Sequence, residues 1–316
     1  MRLRTPAAGA AFATITALAW GGQFVVGKSA LSRVDAFHLT AVRYFVAAAL
    51  LLALLAAVEG PSALRLDGRG LRLAWLGTLG FAGFNLLAYT GLAHARPQSA
   101  ALIIALGPLL TALVLWLKKR IRPARSTLAA LVVALGGVAL VISGGHPETI
   151  VTGAIGWGDA LVLAGALSFV VYTVGASEHA DLSPLRFTAL TAALGWPAIA
   201  VATIVATAAG LEPNPSVGAY TAVLPQIAYI TLLGAVVAVV TWNGAVSIIG
   251  PQNAALFGNL IPVTTFAIEI VRGYRPGAVE ILGALIAIGA LVAANTLARR
   301  RPPALVVDDV ELAEAA

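Results

Sequence analysis

Apolar side chains gather into ten long stretches along the chain, each closed by a short run of polar or turn-forming residues. They lie at about 8–27, 36–58, 71–93, 97–117, 126–144, 156–177, 186–209, 220–249, 252–271 and 277–298. Each is near the ~20 residues a helix needs to cross roughly 30 Å of hydrocarbon. Each is predicted to be a helix, because lipid offers no partner to an open backbone N–H or C=O. The connections are short and leave no room for a soluble domain. Arg2 and Arg4 before the first stretch imitate a secretory signal, but the stretch is long enough to span and more spans follow. It reads as a retained first helix. The final "RRRPPALVVDDVELAEAA" reads as a membrane-edge anchor followed by a flexible tail.

One phrase within this pattern is written twice. Residues Pro97 to Thr111 read "PQSAALIIALGPLLT" and Pro251 to Thr265 read "PQNAALFGNLIPVTT", with eight of fifteen positions identical at an offset of 154. By position, Trp20 to Gly27 lies over Phe169 to Ala176 at an offset near 149. The unit is therefore five helices. Five is odd, so the second copy enters the membrane from the opposite side. The predicted fold is an all-α integral membrane protein of ten transmembrane helices arranged as a 5+5 inverted repeat. The first repeat occupies 1–144, the second 145–298 and the tail 299–316. Many secondary transporters use such a repeat to reach two similar states, with the substrate bound near the midplane. Pro108 and Pro262 occupy matching mid-span positions. A mid-helix proline removes a backbone hydrogen bond and bends the helix, so this pair is expected to line or gate a cavity; a simple packing kink is the alternative.

Composition confirms lipid as the main solvent. The chain is 59% hydrophobic and 11% charged, with mean hydropathy +0.92; soluble domains carry about 25% charged residues. The net charge of +6 suits basic cytoplasmic loops better than nucleic acid, so no nucleic-acid partner is expected. With the N-terminus inside, inner segments hold 14 Lys and Arg and outer segments 5. That bias places both termini in the cytoplasm. The absence of cysteine excludes disulfides and thiolate metal sites, and the four histidines fall near loops without ligand spacing; no cofactor or metal is expected. The Ala- and Arg-rich composition suits a GC-rich bacterial genome, and hence a bacterial plasma membrane. Gly136, Gly137, Gly283 and Gly289 read as packing surfaces in spans 5 and 10, either within the chain or in a homodimer. Monomer and homodimer both stay open.

Three segments carry a family resemblance: "ALAWGGQFVVGKSAL" in span 1, "LTAVRYFVAAALLLAL" in span 2 and "AALFGNLIPV" in span 9. With the doubled proline phrase, they resemble the EamA-type branch of the drug/metabolite transporter superfamily over roughly residues 8 to 298. The resemblance implies a secondary carrier, often an exporter of metabolites, amino acids or drugs. It implies a central cavity lined by spans 1, 3, 4, 6, 8 and 9, with 5 and 10 behind. Three positions depart from the family pattern. The glutamate often found just after spans 4 and 9 is replaced by Arg120 and Tyr274, and the span 6 aromatic, often tryptophan, is Phe169.

Polar residues inside spans usually face the bundle interior. Arg43, seven residues into span 2, reads as an anchor for an anionic substrate group or a gate, or else as a snorkelling structural residue. Asn85 and Tyr89 share a face of span 3, and the repeat lays Asn243 over Tyr89. Gln98 matches Gln252, Ser99 matches Asn253, and Asn259 stands three residues before Pro262. Trp20, Gln23, Ser168, Tyr172 and Trp242 complete the expected lining, which suits a small amphipathic or zwitterionic solute. Each alone is more simply an interhelical hydrogen bond. Glu269 is a candidate for proton coupling, or an ion-pair partner of Arg272 at i,i+3. The function expected is export of a small molecule by alternating access, not enzymatic. A membrane-embedded enzyme acting on a lipid-like substrate and a channel are the alternatives.

Overall fold

The computed structural model describes residues 5–120, 125–143, 146 and 156–299, and all regular structure among them is helical. We number the helices α1 (Pro6–Ala30), α2 (Ala36–Glu59), α3 (Gly70–His94), α4 (Pro97–Lys118), α5 (Arg125–Ser143), α6 (Trp157–Ala176) and α7 (Pro184–Ala208). The next apolar run, Leu224–Val271, has 48 residues. At about 1.5 Å per residue it would be more than twice as long as the roughly 30 Å hydrocarbon core of a bilayer. Gly250 divides it with φ 78° and ψ 160°, a conformation that glycine alone adopts freely. We number the parts α8 (224–249) and α9 (251–271); α10 is Ala278–Arg299. Seven of the runs are long and apolar enough to cross a membrane, and shorter apolar helices lie at Leu128–Val141 and Ala278–Ala290. The chain is a multi-pass membrane protein.

Local sequence explains where helices start. Thr5 caps α1 by accepting from Ala8 N–H (3.2 Å), with Pro6 in the first turn. Asp35 caps α2 by accepting from Phe37 N–H (2.9 Å) and His38 N–H (3.0 Å). Ser183 caps α7 ahead of Pro184. Each cap satisfies donors that the first turn leaves open. The eighth span differs from its predicted start at 220. Val217–Ala222 forms a separate short turn, and the helix resumes at Leu224 with Pro225 in its first turn, where no N–H is needed.

Two irregularities recur. Wide π-helical stretches interrupt α3 at Thr78–Gly83 and α8 at Ile230–Val237. Helix α4 breaks after Ile104 and resumes at Gly107, and α9 contains a 3-10 turn at Phe257–Asn259. These breaks precede Pro108 and Pro262 instead of following from a kink at them. Pro108 sits in the first turn after the break, where its missing N–H costs nothing.

The packing also recurs. α3 lies against α6 as α8 lies against α1; α4 lies against α6 as α9 lies against α1; α2 faces α7 and α5 faces α10. Glycines set the closest approaches. A Cβ on Gly137 would stand 2.6 Å from Gly283 O, whereas Gly136 and Gly289 have no atom within 4 Å. Of the four glycines, Gly137 and Gly283 pack against a neighbouring helix of the same chain. Large apolar side chains face outward, among them Leu18, Phe45, Leu54, Val201, Ile204 and Leu285, while Arg43, Gln23, Asn85 and Asn243 are buried. Apolar outside and polar inside is the arrangement that lipid selects.

Candidate functional site

The central cavity has walls from α1, α3, α4, α6, α8 and α9, the six helices named by the resemblance. Its wall is mostly apolar, with an aromatic cluster at its centre. Phe169 is the hub, with ring centroids 5.3 Å from Trp20, 5.0 Å from Phe84, 5.5 Å from Tyr172 and 6.0 Å from Trp242. Both indole donors are occupied: Trp20 Nε1 donates to Gly234 O and Trp242 Nε1 to Thr173 Oγ1, each at 3.1 Å. The free space is about 50 Å³, room for only a few waters. A solute therefore needs the walls to part.

Backbone groups reach this wall as well. Pro108 has no N–H for the carbonyl of Ile104, four residues back, and Pro262 has none for Gly258. Ile104 and Gly258 both line the cavity, and they are matched at the offset of 154. The doubled proline thus withdraws the α-helical donor from two carbonyls in the cavity wall.

Two polar knots adjoin the aromatic wall. In the first, Arg43 of α2 donates through Nη1 to Tyr89 Oη of α3 and through Nη2 to Gln23 Oε1 of α1 (3.4 Å) and Tyr44 Oη (3.4 Å). Asn85 Nδ2 extends it by donating to Tyr44 Oη (3.2 Å). In the second, Asn243 Nδ2 of α8 donates to Tyr172 Oη of α6 and Thr188 Oγ1 of α7, each at 2.8 Å. The first knot ties α1, α2 and α3; the second ties α6, α7 and α8. Asn243→Ala removes both bonds from the buried knot. We expect it to lower unfolding stability by about 1–3 kcal/mol, measured as the thermal midpoint of the detergent-solubilised protein; an unchanged midpoint would remove this knot from the account.

The sequence-predicted residues divide between these places. Trp20, Gln23 and Trp242 line the cavity. Arg43, Asn85 and Tyr89 form the first knot, with Gln23 joining knot and cavity, and Tyr172 and Asn243 form the second. Asn259 is buried in the 3-10 turn beside the cavity-lining Gly258, its Oδ1 without a partner. Ser168 donates to Leu79 O and clamps α6 to α3. Gln98 is buried in the first turns of α4. Asn253 is exposed and donates to Ile249 O, across the α8–α9 turn. Glu269 pairs with Arg272 at 3.0 Å, as the i,i+3 spacing allows. Sequence reasoning missed Tyr44, Thr173 and Thr188, which complete the knots. Their aromatic or hydroxyl character gave no signal among many such residues.

A third cluster lies outside the spans. Arg69 pairs with Asp181, Arg72 with Glu178 (3.0 Å), Lys118 with Glu178 (2.5 Å) and Arg186 with Asp67 (2.7 Å). They join the α2–α3 connection, the start of α3 and the end of α4 to the α6–α7 connection and the start of α7. Burial raises the Glu178 carboxyl, but Lys118 and Arg72 outweigh it and hold the carboxyl below its usual range. The Arg69 guanidinium does the same for Asp181.

A protein-family model described as "EamA-like transporter family" matches residues 7–143 and again 156–296. Two relatives in Bacillus subtilis strain 168 are each 29% identical. One, the uncharacterized transporter YrdR, aligns over 92% of this chain and 92% of its own; the other, the uncharacterized transporter YyaM, over 88% and 90%. An uncharacterized transporter of Archaeoglobus fulgidus is 26% identical over 79% of this chain and 84% of its own. A protein of known crystal structure superposes with TM-score 0.67 at 22% identity, over 94% of this chain and 100% of that one. That likeness extends to the fold.

Proposed function

The chain belongs to the EamA-like transporter family, and from that premise we propose that it exports a small metabolite, amino acid or drug by alternating access. The path is the central cavity, and the walls move as a 5+5 inverted repeat of ten spans. The double match of the family model, 7–143 and 156–296, supports the repeat. The exchange of helix partners and the matched π stretches, helix breaks and prolines support it further. Inverted halves would carry the two polar knots toward opposite faces of the membrane, one sealing each end of the aromatic cavity. Trp20, Gln23, Trp242, Asn259 and the two proline-released carbonyls would meet the solute; broken helices serve this purpose in transporters. Gln98, Ser168, Tyr172 and Asn253 act at one remove, by holding the helices that line the path. The cell would be bacterial, the membrane its plasma membrane, and both termini cytoplasmic, as the bias of basic residues favours. Proton coupling would fall to Glu269.

The observation that carries this reading is an internal cavity shared by the two halves and closed at present to all but water. Flux into proteoliposomes tests it, using labelled amino acids and cationic drugs with and without a pH gradient. We expect saturable uptake, and a loss of about tenfold or more in Asn259→Ala if its unpartnered oxygen binds the solute, since that corresponds to roughly 1.4 kcal/mol. Flux that never saturates would favour a channel. Protein shown to be folded that moves nothing in the panel would sink the carrier reading for these substrate classes.

A further inference from the structure

Arg43 is 1% exposed, so its guanidinium has neither water nor lipid headgroups to turn to. No carboxylate lies within 4.0 Å of it among the described residues. The described acids nearest to a span stand at or close to helix ends: Glu59, Asp159, Glu269 and Glu280. Its partners are three neutral oxygens, two of them at the long distance of 3.4 Å. The faces of Tyr44 and Tyr89 add cation–π contacts at 4.8 and 5.0 Å. Its Nε–H has no partner at all. Neutral dipoles recover only part of what a cation loses on leaving water. The site is therefore one negative charge short of neutrality.

Gln23 stands between this charge and the cavity. It lines the cavity and its Oε1 accepts from Arg43. A Cβ on Gly234 would fall 1.8 Å from that same oxygen, so the missing side chain at Gly234 is what makes room for Gln23. The glutamine carbonyl occupies the place of an anion's oxygen while carrying no net charge. We propose that the transported solute bears a carboxylate on a compact apolar body, and that this carboxylate displaces Gln23 to pair with Arg43 while the body rests on the Trp20–Phe169–Trp242 wall. This rests on the reading of the cavity as the transport path. A guanidinium offers a carboxylate two parallel N–H donors, and the open Nε–H is one of them. The counter-charge thus arrives with the cargo.

The test compares sodium benzoate with benzamide, which has the same ring and nearly the same shape but no charge, at matched ionic strength. The readout is the thermal midpoint of the full-length protein in detergent. Benzoate should raise the midpoint by a few degrees at concentrations well above its Kd, and benzamide should not. Arg43→Gln should weaken the benzoate response at least tenfold. Its unliganded midpoint should equal or exceed that of the wild type, because an uncompensated charge has been removed. Arg43→Lys, which keeps the charge but not the fork, should retain part of the response and covers the case in which Arg43→Gln fails to fold. Equal wild-type responses to benzoate and benzamide, or a full benzoate response in Arg43→Gln, would overturn the proposal. A benzoate response without flux in liposomes would leave the anion site standing and sink the carrier reading. Saturable flux by a protein that treats acid and amide alike would do the reverse.

Discussion

Gly77→Val should leave a protein that melts about 10 °C or more below the wild type and is recovered in low yield. A Cβ at Gly77 of α3 would stand 2.1 Å from Thr191 O and 3.0 Å from Gly195 N, both backbone atoms of α7. The contact is reciprocal, since a Cβ on Gly195 would stand 2.4 Å from Gly77 O. No side chain can swing away to relieve this clash, so the helices themselves must separate. Overpacking of an ordinary core costs about 1–3 kcal/mol, and a backbone-to-backbone clash belongs at or beyond the upper end. At roughly 2–4 °C per kcal/mol for a domain of this size, the shift is large. Gly136→Ala is the control, because its Cβ would meet nothing within 4 Å. It should be neutral or stabilising by up to about 1 kcal/mol, the helix-propensity difference. Equal midpoints for Gly77→Val and wild type would mean that α3 and α7 do not meet as described.

The second large effect is on transport. Arg69→Cys with Asp181→Cys, joined by a short, reducible bifunctional thiol reagent, should cut flux at least tenfold, and a reductant should restore it. The native chain has no cysteine, so the reagent has no other target. Arg69 and Asp181 face each other across the two halves, within a cluster that also pairs Arg72 and Lys118 with Glu178. On the alternating-access reading proposed above, these connections separate once per cycle. A tether holds them without changing the cavity. Undiminished flux after verified crosslinking would show that this end of the bundle stays shut while solute passes. The native pairs are exposed and so individually weak and sensitive to salt. The Glu178 and Asp181 carboxyls titrate below their ordinary range in the closed arrangement. Their contribution is thus complete at neutral pH and fades only as pH falls through those lowered values. Between pH 6 and 8 the uncrosslinked protein should show no change in flux from this cluster.

Helix positions were legible because a span announces itself by the length of an apolar run. The break at Gly250 falls where the pattern put it. The roles of individual residues were less legible. Asn243 and Tyr89 stood out as polar residues in apolar surroundings, and both proved to be knot residues. Tyr44 and Thr188 look like ordinary span residues, and only the approach of α3 to α2 and of α8 to α7 brings Asn85 and Asn243 to their hydroxyls. Glycines show the limit most clearly: Gly136 and Gly137 are neighbours in sequence, yet only Gly137 touches a backbone. The helix breaks lie ahead of Pro108 and Pro262, not at them, because proline fits the first turn of a new helix better than the middle of an old one.

The turn at Gly250 also bears on how the chain is threaded into the bilayer during synthesis. From Leu224 to Val271 there is no Lys or Arg, and the two helices are separated by one residue. Cytoplasmic basic residues are what normally decide which way a segment enters, and this turn has none. A pair so closely joined, with no charge of its own at the turn, is expected to enter the bilayer together as a hairpin. Its direction is left to basic residues elsewhere in the chain, such as Arg186 upstream, and is not chosen by the hairpin itself.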